Sequence, residues 1–207
     1  MMKFVSRLLV KAQLWIFRTS EVARFDGIIL ADLRSPERQT PHFRAIILGA
    51  LRLLKETDPC RFARVKRRLK WIVRQTLDLR GSAQYQHSTR TCAIDFLEPS
   101  EVYDSEFLTG WYASTLVHEA THGEIRSRGI LYTEQLRQRI EQICVKEQQN
   151  FEKRLTTTQP DLAKRIHCDF DAANWEWSWS LTPWQQLKFG MRRIYSEAKG
   201  NSQEAED

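Results

Sequence analysis

Histidine is scarce in this 207-residue chain, with five in all. The four cysteines, Cys60, Cys92, Cys144 and Cys168, lie far apart and form no C-x-x-C pair. That sets aside a zinc knuckle and a dense disulfide framework, and points to a reducing compartment. No apolar run reaches the length needed to cross a bilayer. No repeat or low-complexity tract is present, which removes solenoids and fibres from consideration. Acidic residues are missing before Glu21.

What remains is a chain able to fold. Hydrophobic residues make up 42%, and seven tryptophans and ten phenylalanines argue against disorder. The length suits one domain, with appended helices. The net charge is +6, and much of it falls in Arg61, Arg64, Lys66, Arg67, Arg68 and Lys70. Such a cluster can face nucleic acid or anionic lipid. No nucleic-acid motif accompanies it, so the expectation is a solvated helix face and no nucleic-acid partner. At the start, Lys3, Arg7, Lys11 and Arg18 share one helical face. Val5, Leu8, Leu9, Ala12, Trp15 and Ile16 fill much of the rest. A helix of this kind packs on its own domain or lies on a membrane surface. As a signal peptide it is poor, because Lys11 and Gln13 interrupt its apolar run and no small-x-small site follows. The expected location is the cytoplasm, with residues 3–18 offering a peripheral membrane contact.

The most informative string is Thr115-Leu-Val-His-Glu-Ala-Thr-His-Gly123. Residues four apart on a helix share a face, so His118 and His122 stand one turn apart on the same side. Two imidazoles at that spacing can hold one zinc ion, and Glu119 beside them can reach a water on it. Leu116, Val117 and Ala120 suit a buried helix, and no proline interrupts residues 111–125. The competing reading is a helix with two satisfied histidines and no metal.

A catalytic zinc takes a third protein ligand. A third histidine six residues on is ruled out by Arg128. An acidic ligand remains. Gly129 reads as a helix C-cap and Thr133 as the next N-cap, so the chain should fold back near residue 131. Residues 140–144 then lie level with the histidines, which favours Glu141. On the helix 133–155, Leu136, Ile140, Ile143, Cys144 and Phe151 form the expected apolar stripe. Glu147 falls inside that stripe and Glu141 at its edge. A carboxylate among apolar residues needs a partner, so Glu147 is the alternative third ligand. Cys144 reads as a small core residue.

His118-Glu119-x-x-His122, eighteen residues, then Glu141 followed three positions later by Cys144, resembles the gluzincin metallopeptidases over about residues 111–155. The resemblance implies an α+β, zincin-like fold with a small sheet, an active-site helix and a glutamate helix. It implies Zn²⁺ on His118, His122 and Glu141, Glu119 as general base, and a peptide or protein substrate. The Asn that usually precedes the third ligand is replaced by Ile140. The acidic residue four positions after it is replaced by Val145. Candidates for an oxyanion donor are His167, Tyr132, Tyr195 and the Arg126/Arg128 pair, each of which also has an ordinary packing or surface role.

Elsewhere the pattern predicts a helix at 3–18, an open choice between short helix and strand at 21–35, and a helix at 41–55. Asp58-Pro59 should start a short basic helix. Residues 70–75, 83–87 and 91–96 read as strands of a three-stranded sheet. In zincins an edge strand binds an extended peptide, and Thr91–Phe96 is the candidate. Residues 161–168 read as helical. Trp175, Trp177 and Trp179 suit a strand with one aromatic face, and Pro183 should start a last helix through Tyr195. The expected organisation is a basic amphipathic helix at 1–20, one zincin-like domain at 21–199 and a disordered tail at 200–207.

Overall fold

The structure, a computed structural model, describes residues 2–34, 41–75 and 83–170, with side chains from Leu8 onward. By backbone contacts the chain divides into one unit of residues 1–76 and 82–170 and a second of residues 77–81 and 171–207. The second unit lies outside the described residues. So do the expected Trp175/Trp177/Trp179 strand, the helix to Tyr195, the 200–207 tail and the far boundary of the 21–199 domain.

Helix α1 (Met2–Thr19) leads into a hairpin of β1 (Glu21–Phe25) and β2 (Ile28–Asp32). The turn between them is Asp26-Gly27, with φ of 48° and 87°. Two positive φ values match the right-handed twist of a hairpin, and glycine adopts them freely. Helix α2 (Pro41–Thr57) buries Phe43, Ile46, Ile47, Ala50, Leu51 and Leu54, the six residues its periodicity marks. Asp58 caps α3 (Pro59–Arg68), accepting from the Arg61 backbone N–H at 3.0 Å.

Strands β3 (Trp71–Arg74), β4 (Ala83–Gln86) and β5 (Thr91–Ile94) complete the sheet. Among the described residues it has five strands, in the order β1-β2-β3-β5-β4, not three. The central β2, β3 and β5 are parallel, and the outer β1 and β4 are antiparallel to their neighbours. All three central strands are buried at every position. Such strands read as continuous apolar runs rather than alternations, which is why 28–31 resembles a helix segment as much as a strand. The expected edge strand is corrected by the same fact. β5 is paired on both sides, and the edge belongs to β4.

Side chains alternate across the sheet. Ile28, Leu30, Ile72, Cys92 and Ile94 join the main core with α2, α3 and the helices that follow. Ile29, Ala31, Trp71 and Val73 form a smaller cluster with Phe17 of α1. Leu8, Leu9, Trp15 and Ile16 of α1 remain exposed, Trp15 at 67%.

Three helices close the described fold: α4 (Ser105–Ser127), α5 (Glu134–Leu155) and α6 (Pro160–Arg165). The Asp104 carboxylate starts α4 by accepting from the Phe107 N–H at 2.7 Å. Every residue from Tyr112 to Thr121 is buried. A helix buried all round runs through the interior rather than over the surface. The basic residues of α3 are a solvated face only in part: Lys66 and Arg67 are exposed, while Arg61, Arg64 and Arg68 are half-buried. Arg61 and Arg64 pair with Glu147 of α5, and Arg67 and Arg68 with Glu124 of α4. The architecture is thus α+β: a mixed sheet, with α4 and α5 stacked beside it.

Candidate metal centre

Helix α4 ends at Arg128, and Gly129 follows with φ of 81°, the left-handed conformation that stops a helix. Thr133 occupies the N-cap position of α5, without a side-chain cap bond. The two helices run antiparallel, as the cap signals predict. Ser114, His118 and His122 of α4 face Glu152, Gln148 and Glu141 of α5.

His118 and His122 converge with Nε2 atoms 3.1 Å apart. Both oxygens of the Glu141 carboxylate face this pair, Oε2 3.1 Å from His118 Nε2 and Oε1 3.5 Å from His122 Nε2. A tetrahedral zinc with Zn–N and Zn–O bonds of ~2.0–2.1 Å sets its ligand atoms roughly 3.3 Å apart. The three donors therefore fit zinc by spacing and by type. His118 and Glu141 are 7% and 3% exposed, and the His122 side chain is 15% exposed. The opening of the site lies on the His122 side.

The charges support one another. Burial pulls the His118 imidazole down, but bonding to Glu141, with Glu119 and Gln148, holds it above its ordinary value. Burial pushes Glu141 up, and His118 and His122 outweigh it, so the carboxyl stays well below the usual range. Glu119 is buried, 5% exposed. Its charge acts on His118, on Cys92 of β5 and on Cys144 of α5.

Cys144 is fully buried, and its sulfur lies within 4.8 Å of the donor nitrogens of His118 and His122. It forms part of the site as well as of the core. Glu141 is the nearer neighbour, with oxygens 3.1 and 3.5 Å from the two imidazoles, and burial and nearby carboxylates push the Cys144 thiol up, toward its protonated form. Glu147, the alternative, is engaged by Arg61, Arg64 and Asn150. Of the expected stripe on α5, Ile140, Cys144 and Phe151 are buried and Leu136 and Ile143 are exposed; the buried face also carries Glu141, Val145, Gln148, Glu152 and Leu155.

Of the oxyanion candidates, Tyr132 enters the site. Its hydroxyl donates to Glu141 Oε1 at 2.6 Å, and its ring meets His122 edge-on at 5.6 Å. Arg128 pairs with Glu124 at 3.3 Å. His167 accompanies Glu152 (Nδ1 to Oε2, 2.8 Å) beside an open cleft of about 540 Å³ between α5 and α6. Tyr195 lies outside the described residues.

The sequence reading missed a polar ladder behind His118. His118 Nδ1 is 2.7 Å from Gln148 Oε1, Gln148 Nε2 donates to Ser114 Oγ at 3.2 Å, and Ser114 donates to Glu152 Oε1 at 3.2 Å. Its signal was present: 141, 148 and 152 share one helical face. Comparison with protein-family models, with curated proteins and with solved structures finds no match. Function must therefore be read from this geometry.

Proposed function

We propose that the protein is a zinc-dependent hydrolase, of metallopeptidase type and zincin-like architecture, with His118, His122 and Glu141 as metal ligands and Glu119 as general base. The observation that carries this is the approach of the His118 and His122 Nε2 atoms to 3.1 Å, with one Glu141 oxygen 3.1 Å from the first and the other 3.5 Å from the second, beside a buried glutamate. Bound zinc would supply a Lewis acid that acidifies water and polarises a carbonyl. Glu119 then takes a proton from the attacking water and returns it to the leaving amine. Tyr132, on the open side of Glu141, is the hydroxyl best set to meet developing negative charge on the substrate.

A peptide bond is favoured by the edge of the sheet as well as by the motif. β4 ends the sheet among the described residues. It runs close to α4 beside His122: a Cβ on Gly123 would lie 3.0 Å from the Tyr85 ring. An extended peptide added to β4 would pass the histidines.

Metal analysis of the purified protein tests this reading. Wild type should hold about one zinc per chain. His122→Ala should lose it. Glu119→Gln should keep it, while hydrolysis of a peptide library falls about 10²–10⁴-fold. Wild type that binds no zinc after reconstitution near neutral pH would sink the proposal.

A peripheral membrane contact is favoured by one separate observation. Leu8, Leu9, Trp15 and Ile16 are exposed on a helix that carries Lys11 and Arg18 and no acidic residue. Anionic vesicles should blue-shift Trp15 emission, neutral vesicles should not, and salt should reverse the effect. A salt-insensitive response, or none, removes this contact.

A further inference from the structure

We infer that Gln148 is the positioning residue of the metal centre: it holds His118 in the tautomer that turns the Nε2 lone pair toward His122 and Glu141. The inference rests on the zinc reading, and deepens it at the point where the familiar acidic partner is replaced by Val145.

A neutral imidazole carries one N–H, and the hydrogen bond made by one nitrogen decides which. The partner of His118 Nδ1 is the side-chain amide of Gln148, 2.7 Å away and 93% buried by the 7% exposure of the residue. An amide can present either its oxygen or its NH₂, so its orientation must be fixed from the far side. Ser114 fixes it. The Gln148 NH₂ donates to Ser114 Oγ, and the Ser114 hydroxyl passes its own proton to Glu152 Oε1, both at 3.2 Å. Glu152 is in turn held by His167. With the NH₂ committed to Ser114, the Gln148 carbonyl oxygen faces His118 and accepts its Nδ1–H. The Nε2 lone pair then points at the Glu141 oxygen 3.1 Å away. When bound, a zinc ion would take the space between these two donors. Were the amide reversed, its NH₂ would move the imidazole proton to Nε2 and block the ligand position.

The residue type has its own consequence. A carboxylate partner on a ligating histidine both orients the ring and raises its basicity. Gln148 orients without adding charge. This centre thus relies on Glu141 and Glu119 for its negative charge.

The test uses the full-length chain and two readouts. The first is the ¹⁵N signature of His118 in metal-free protein, at a pH where the ring is neutral. Wild type should carry the proton on Nδ1. Gln148→Met, close in volume, should move it toward Nε2, and Gln148→Glu should keep it on Nδ1. The second is zinc affinity by chelator competition. It should fall about 10–100-fold in Gln148→Met and be retained or tightened in Gln148→Glu. Should Gln148→Met fail to fold, Ser114→Ala releases the amide from behind and should give the same tautomer shift, with an affinity loss under about tenfold. An unchanged tautomer in a folded Gln148→Met or Ser114→Ala overturns the inference, as does unchanged zinc affinity in Gln148→Met. Wild type that shows the Nδ1–H tautomer but binds no zinc overturns the hydrolase reading, and leaves Gln148 as the group that sets the ring.

Discussion

Helix α4 has two very different sides. Toward α2 and the sheet it offers Leu108, Tyr112, Leu116 and Val117, packed with Ile47, Leu51 and Leu54 in the main core. Toward α5 it offers Ser114, His118 and His122, matched by Glu152, Gln148 and Glu141. Both sides are buried, and only the first resembles a protein interior in composition. Burial of apolar surface stabilises by about 25 cal/mol per Å². Buried polar groups at best break even, and then only when their hydrogen bonds are satisfied. A domain needing α5 merely as a cover would do as well with leucines there. The difference assigns stability to one seam and, on the proposed function, chemistry to the other.

The largest expected effect comes from the apolar seam. Leu116 is fully buried, and Leu116→Ala should cost about 2–5 kcal/mol of unfolding free energy, the lost transfer energy plus a residual cavity. Denaturant titration measures it. Zinc affinity of the folded fraction should be little changed. A loss below about 1 kcal/mol, or a collapse of metal binding in protein that is still folded, would blur the division between the seams.

The polar seam should respond in the reverse sense. If the proposed centre takes zinc, the ion at 100 times its dissociation constant should stabilise the fold by about 2.7 kcal/mol. That appears as a rise in thermal midpoint, absent in His122→Ala. An equal rise in His122→Ala would place the metal elsewhere, and no rise in wild type would make the seam structural.

Much of this was legible in the residues. The periodicity of α2, the Asp58-Pro59 start of α3 and the turn at Gly129 all rest on local backbone chemistry, and each appears in the fold. The level of Glu141 with the histidines followed from caps and rise alone. Two features were not legible. Strands buried on both faces show no alternation, so β2 could not be told from a short helix, and β5 could not be seen to lie inside the sheet. The inward face of α5 was misjudged because counting its hydrophobic residues chose Leu136 and Ile143, both exposed. Its buried side is mixed: Glu141, Gln148 and Glu152 lie among Ile140, Cys144, Val145, Phe151 and Leu155, and a hydrophobic count cannot place the polar members.

A third contact sharpens the comparison from outside both seams. Glu124, near the end of α4, is bonded by Arg68 at 2.8 Å, Arg67 at 3.1 Å and Arg128 at 3.3 Å. Arg68 above all holds its carboxyl down to about 2, against a small opposing effect of burial. A carboxyl depressed in the folded state stabilises the protein at pH values above its unfolded value of about 4.3. That stability is lost as pH falls from there through about 2. Solvent reaches the cluster, so the network is worth about 1 kcal/mol rather than its full shift. Glu124→Gln should therefore lose about 1 kcal/mol at pH 7 and flatten the acid limb of the stability curve in that window. Because the cluster ties α3 to α4 without touching the three donors, zinc affinity should not follow it. If affinity fell with Glu124, the end of α4 that carries His122 would owe its place to this surface clamp, and not to the packed and polar seams on either side.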